Sequence, residues 1–334
     1  MTEEIMRQKK GVTGTTLKII ALIAMFIDHF AAILIADYLD FVTPVDGSQE
    51  QLQVWFAEHP HVALLEIVML LMRLIGRFGF PLFAFLIVEG FQHTRSVKKY
   101  MLNLGVFALI SELPFNLGFA STLFYPGYQN VFLTLFLGLG CLACMHYFIE
   151  NKKNSAKLVP LFYFAAPVAG AFAAYVFIQT FWVVSRFVDM DLTAKVIIGG
   201  VCAFLALIFF ACLGLQWDVE RKNEFTFTIL PIAVFCIIAD LLITDYSAGG
   251  VLVIVIMYLL RGNHKRAFGL GVLVLTLMQP IEAAAFFMLI PISKYNGERG
   301  MKLNKYFYYA FYPVHIGLLY LVTLLLGYTT FAVR

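Results

Sequence analysis

The chain has 334 residues, 61% of them hydrophobic and 13% charged, with a formal net charge of +3. Soluble domains carry roughly 45–50% apolar and about 25% charged residues, so the composition excludes a soluble globular protein and gives a polytopic membrane protein, read as a single domain over 1–334. No basic patch suits a nucleic-acid partner, and the partner set by composition is the lipid bilayer.

Apolar runs of about 20 residues, each long enough for one crossing, lie near 17–37, 64–91, 100–118, 129–149, 158–182, 195–215, 225–243, 247–261, 267–293 and 306–327. Backbone groups in hydrocarbon must be satisfied within their own segment. The expected fold is therefore an all-α bundle of about ten transmembrane helices, some short or broken, around a polar central cavity. The first run follows "MTEEIMRQKKGVTGTTLK"; it is too long for a signal-peptide core, no A-x-A-like cleavage site follows it, and it should stay as a span. The longest hydrophilic connection, 37–61, ends in a stretch suited to an interfacial helix.

Basic residues set the orientation. Loops 92–99 (Arg95, Lys98, Lys99), 150–157 (Lys152, Lys153, Lys157), 221–222 (Arg221, Lys222) and 261–266 (Arg261, Lys265, Arg266) are basic, whereas 37–61, 119–128 and 244–246 carry no Lys or Arg. Only 183–195, with Arg186 and Lys195, breaks the alternation. The alternation places the N-terminus in the cytoplasm. The last third leaves two readings open. Loop 294–305 carries Lys294, Arg299, Lys302 and Lys305, so either 267–293 is one crossing and this loop is outside, or 267–293 is broken at Gln279-Pro280 into a re-entrant pair.

Ionisable groups inside spans are costly and mark functional sites or paired structural charges. His29, Arg77, Glu112 and His315 fall near mid-membrane, Asp28 adjoins His29, and Glu89 lies near the end of the second span. Arg73 and Arg77 are four apart on one helix face, with Glu66 seven before Arg73, and Asp28 or Glu112 would neutralise them. Imidazole exchanges a proton near neutrality and is the usual general base, which singles out His29 and His315. Lys18 and His29 are eleven apart: about 20° out of register and roughly 16 Å along the axis, about the length of an extended pantetheine arm. Cys141 and Cys144 have redox or zinc spacing but no His partner nearby in sequence, and read as small packing residues. No metal cluster stands out.

The stretches "LKIIALIAMFIDHFAAIL", "RLIGRFGFPLFAFLIVEGFQHTRSVKKYMLNLGVFALISELPFN", "DYSAGGVLVIVIMYLLR" and "YNGERGMKLNKYFYYAFYPVHI" resemble the TraX family, in order and over nearly the whole chain except about 130–240. The resemblance implies N-terminal acetylation of conjugative pilin from acetyl-CoA, and a kinship with integral-membrane acyltransferases of type three. Those share a basic residue about ten places before a catalytic His in the first span, which Lys18 and His29 match. Glu89-Gly90 stands where many of them carry a hydroxyl before the Gly.

The expected activity is transfer of an acetyl group from acetyl-CoA to an amine or hydroxyl of a peptide or sugar acceptor. His29, Asp28, Arg77 and His315 are the catalytic candidates: His29 as base, Asp28 orienting, Arg77 or Arg73 on the oxyanion or the phosphates, His315 holding acceptor or sharing base duty. Lys18, Arg73 and Glu89 are the candidates for binding acetyl-CoA. A proton-coupled transporter of a small solute is the alternative, since midplane His, Glu and Arg and a broken span suit one, although no internal repeat is present.

Overall fold

Eight helices are long and apolar enough to cross a membrane in the computed structural model, which describes residues 11–44, 48–180, 191–302 and 304–329. The charged segment 1–10 and the loop with Arg186 lie outside the described residues. Among the described residues, extended pairing is confined to two isolated bridges, Val12 with Tyr295 and Gln129 with Thr244. The protein is an all-α multi-pass membrane protein. Exposed Phe204, Leu205, Phe209, Leu109 and Leu325 belong to an outer surface whose solvent is lipid.

The first crossing is α1 (Gly14–His29), capped by the Thr13 side chain, which accepts from the Thr16 N–H. It widens at His29 into a π-helical turn over Phe30–Ile35 and continues as α2 (Ala36–Val42). Such turns reset the side-chain register and recur at functional sites. The hydrophilic connection holds one ten-residue helix, α3 (Gln49–Glu58), opened by a Ser48–Gln51 capping box.

The second crossing is two helices, α4 (Pro60–Gly76) and α5 (Gly79–His93). Pro81 explains the break: its ring excludes the helical bond to the carbonyl four residues back, that of Arg77. Gly76 fits there because a Cβ would overlap the Asp28 side chain. Next come α6 (Val97–Ala120), α7 (Val131–Lys152), α8 (Pro160–Thr180), α9 (Leu192–Gly214) and α10 (Val219–Leu241). Cys141 is free and fully buried, with Sγ 3.9 Å from Met145 Sδ on its own helix. The core joins Leu17 and Ala21 of α1 to Leu82 of α5, Leu139 of α7 and two residues further on, Ile254 and Phe268.

The last third departs from ten crossings. Run 247–261 forms the thirteen-residue α11 (Ser247–Leu259), about 20 Å long and short of a bilayer core. Run 267–293 is the re-entrant pair. Helix α12 (His264–Met278) stops at Gln279, whose backbone is extended ahead of Pro280; the chain then returns through a 3-10 turn, Pro280–Met288, and α13 (Leu289–Ser293). The His264 and Tyr295 rings are 5.2 Å apart, so the segment enters and leaves at one end of the bundle. Loop 294–304 therefore shares an end with the basic 261–266 turn, and α14 (Lys305–Leu326) is the last crossing.

Loop 294–304 is tied to the start of α1. The Val12, Gly14 and Thr15 N–H groups donate to the carbonyls of Lys294, Glu298 and Arg299 at 2.8, 2.8 and 2.9 Å. Those of Gly14 and Thr15 are donors that a helix start leaves without an internal partner. The left-handed Gly300 (φ 77°) lets the loop close onto Thr13, which a Cβ would strike.

Candidate active site

Three irregular points of backbone meet inside the bundle: the π turn after His29, the break at Arg77, and the hairpin apex before Glu282. Asp28 and His29 are consecutive, so they leave α1 about 100° apart, and each enters a different environment.

On one side, Arg73 Nη1 donates to Asp28 Oδ2 at 2.7 Å, Arg77 Nη2 to Asp28 Oδ1 at 2.9 Å, and Arg77 Nη1 to Glu282 Oε1 at 3.1 Å. Arg77 Nε also donates to the Arg73 carbonyl at 3.2 Å. The Asp28, Arg77 and Glu282 side chains are only 12%, 12% and 3% exposed. A buried charge holds there only when paired and hydrogen-bonded. Asp28 is the carboxylate that neutralises both arginines; Glu112 instead accepts from the Asn130 amide, which also donates to the Ala108 carbonyl at 2.8 Å, and Glu66 is exposed.

On the other side, His29 Nδ1 and His315 Nε2 are 2.7 Å apart, with the rings nearly parallel at 8°. His315 Nδ1 is 2.6 Å from the Phe311 carbonyl. A carbonyl only accepts, so with both rings neutral His315 carries its proton on Nδ1, and its Nε2 accepts from His29 Nδ1–H. His29 Nε2 is left as an unprotonated acceptor, the form a general base needs. The rings of Phe119 and Tyr312 stand edge-on to His29, with centroids at 5.6 and 5.5 Å.

A cavity of about 650 Å³ lies beneath this pair, within the range of small-molecule and cofactor sites. Along α1 its lining runs from Gly14 through Lys18 to Met25, eleven residues or about 16 Å of helix. Its mouth carries five cations: Lys18, Arg95, Lys99, Arg299 and Lys305. None makes an ion pair among the described residues. Lys18 Nζ sits 5.2 Å from the centre of the Tyr308 ring. Glu89 also lines the mouth; it accepts from Tyr295 OH at 2.9 Å, and His264 Nε2 is 3.7 Å away. Deeper down the wall is apolar or aromatic, with Met25, Phe83, Phe132, Leu135 and Tyr312. His29 does not line the cavity; Tyr312 stands between.

The expected residues thus divide into three groups. Lys18 and Glu89 meet at the cavity mouth, and His29 and His315 pair just past its end. Asp28, Arg73 and Arg77 form a separate cluster that does not line the cavity. Arg73 and Arg77 are both hydrogen-bonded to Asp28, and neither lines the cavity. Arg95, Lys99, Arg299 and Lys305 were legible in the sequence only as orientation markers. Among the described residues, no group of three or more His, Cys, Asp or Glu is placed to hold a metal ion.

The family model of the TraX protein matches in two overlapping stretches, residues 13–215 and 192–323. The chain belongs to the TraX family. It is also similar to a probable fimbrial assembly protein, FimC of serogroup H1, from Dichelobacter nodosus: 26% identity over 313 residues, covering 91% of this chain and 92% of that relative. No solved structure matches. Both family stretches run through the site, the first through His29 and the cavity mouth at 94–99, the second through loop 294–304 and His315.

Proposed function

We propose that this TraX-family protein is an integral-membrane acetyltransferase that moves an acetyl group from acetyl-CoA to an amine or hydroxyl acceptor. The observation that carries the reading is a cation-ringed cavity that ends one aromatic ring short of an imidazole pair with a free basic nitrogen. The mouth cations suit the nucleotide phosphates, and the pantetheine arm suits the narrower apolar depth. The mouth is the cytoplasmic end, by the excess of Lys and Arg there, and the protein sits in a bacterial inner membrane.

In the transfer, the acceptor nitrogen or oxygen attacks the thioester carbonyl carbon while His29 Nε2 takes its proton. The carbon–sulfur bond then breaks, and the CoA sulfur recovers the proton from His29. His315 is a positioning residue: its Nε2 holds His29 in the tautomer that leaves the outer nitrogen free, and shares the charge of the transient imidazolium. The Asp28–Arg73–Arg77–Glu282 network sets the shape of the π turn and touches no reactant. The fimbrial-assembly description of the relative, with the pilin acetylation that the family resemblance implies, favours a pilin N-terminus as acceptor; a membrane-linked glycan is the other candidate.

The test is incubation of membranes with acetyl-labelled acetyl-CoA, comparing wild type with His29→Ala. Label should pass to an acceptor in the first and not in the second, at equal protein level and melting temperature. Wild-type turnover from His29→Ala ends the assignment. The transporter reading draws on the buried ionic network at two broken spans. It is separated by thermal stabilisation, which rises with the ratio of ligand to Kd: saturable stabilisation by CoA belongs to the enzyme.

A further inference from the structure

We propose that Tyr312 is a gate that keeps a bound thioester away from His29, and from water, until an acceptor arrives. The inference rests on the acetyl-transfer reading. Tyr312 is 2% exposed and lines the cavity. Its ring is edge-on to both His29, at 5.5 Å, and Phe132, at 5.1 Å, and 6.0 Å from His315. Its ring therefore touches the cavity on one face and the imidazole pair on the other. Phe132 and Met25, beside it in the lining, leave the depth without a charged group.

The separation matters because the same geometry that activates an acceptor activates water. Water at His29 Nε2 would lose a proton to that nitrogen as its oxygen attacked the thioester carbonyl. The carbon–sulfur bond would break, the sulfur would take the proton back, and acetate and free CoA would result. A site that excludes water prevents that loss. An aromatic ring filling the gap does so without a moving loop, and turning it about its side-chain bonds opens the passage.

The acceptor need not be known to test this. Purified Tyr312→Ala, given acetyl-CoA alone, should release CoA thiol at least tenfold faster than wild type. Tyr312→Phe, which keeps the ring, should match wild type. The double variant Tyr312→Ala with His29→Ala should be silent, showing that the leak runs through the base. Should Tyr312→Ala fail to fold, Phe132→Ala removes the ring that Tyr312 leans on and should leak in the same direction. A variant that acetyl-CoA still stabilises but that hydrolyses it no faster than wild type overturns the gate and leaves acetyl transfer standing. If acetyl-CoA stabilises neither wild type nor variant, the parent reading falls and the gate with it.

Discussion

Asp28 and His29 share a helix turn and a depth, yet the bundle treats them in opposite ways. Around Asp28, two arginines and a second carboxylate close a network of short ion-paired bonds. His29 faces rings instead, and its one polar partner among the described residues is another imidazole. A carboxylate at this depth must be paired or it will not stay ionised, so its partners fix it in place. An imidazole tolerates burial as a neutral group, so it can be left with a nitrogen unspent. The difference teaches which of two adjacent ionisable residues holds the fold and which is free to react.

The sharpest way to break that comparison is to remove each member in turn. His29→Ala should lower acetyl transfer at least about a hundredfold, the lower range for a positioned base, with the melting temperature little changed. Arg77→Ala should do the reverse. It leaves Glu282 without its cation and Asp28 with Arg73 alone, and removing one partner of a buried pair costs about 3–5 kcal/mol. The expected outcome is a clear drop in melting temperature and yield, while the molecules that remain folded keep their transfer rate. An Arg77→Ala protein as stable as wild type but inactive would move Arg77 into the reacting site.

How much of this division was legible beforehand depends on range. Membrane class, the all-α fold and the approximate spans follow from composition and run length, which are local. The break at Gln279-Pro280 was visible because proline acts on its own neighbours, but the basic loops alone could not decide between one crossing and two; the Val12–Tyr295 bridge and the His264–Tyr295 contact do, and both join distant parts of the chain. The pairing of His29 with His315 spans 286 residues, beyond any helical spacing. Helix geometry put Lys18 and His29 near one face of α1, and the structure has Lys18 in the cavity lining and His29 outside it. That same geometry could not place Tyr312 between the cavity and the imidazole, because that depends on how α14 leans against α1. Spacing put Arg73 and Arg77 on one face and offered Asp28 or Glu112 as their counter-charge; which of the two that face meets depends on how α4 packs against α1.

A smaller effect tests the imidazole pair itself. His315→Ala removes the acceptor of the His29 Nδ1–H bond and lets the ring choose either tautomer. Transfer should fall about tenfold, near one hydrogen bond's worth. His315→Gln, whose side-chain oxygen can accept from Nδ1–H, should recover part of it. A loss as deep as that of His29→Ala, unrescued by Gln, would mean that His315 touches the reactants.

The smallest effects belong to the cavity mouth, where the comparison changes from buried to half-open charge. Lys18, Arg95, Lys99, Arg299 and Lys305 surround one opening, so no one of them carries the attraction alone. Exposed charge pairs contribute roughly 0.2–1 kcal/mol, which makes Lys18→Ala or Arg299→Ala a loss of about two- to fivefold in apparent affinity for acetyl-CoA with kcat unchanged. Because such attraction is screened over a Debye length of about 10 Å at 0.1 M salt, raising ionic strength should weaken wild-type binding more than it weakens the variants'. Acetyl-pantetheine, which keeps the thioester but has no nucleotide phosphates, supplies the control: its affinity should be indifferent both to salt and to Lys18→Ala. If it loses as much as acetyl-CoA does, these cations act on something other than phosphate, and the mouth would need a different ligand chemistry.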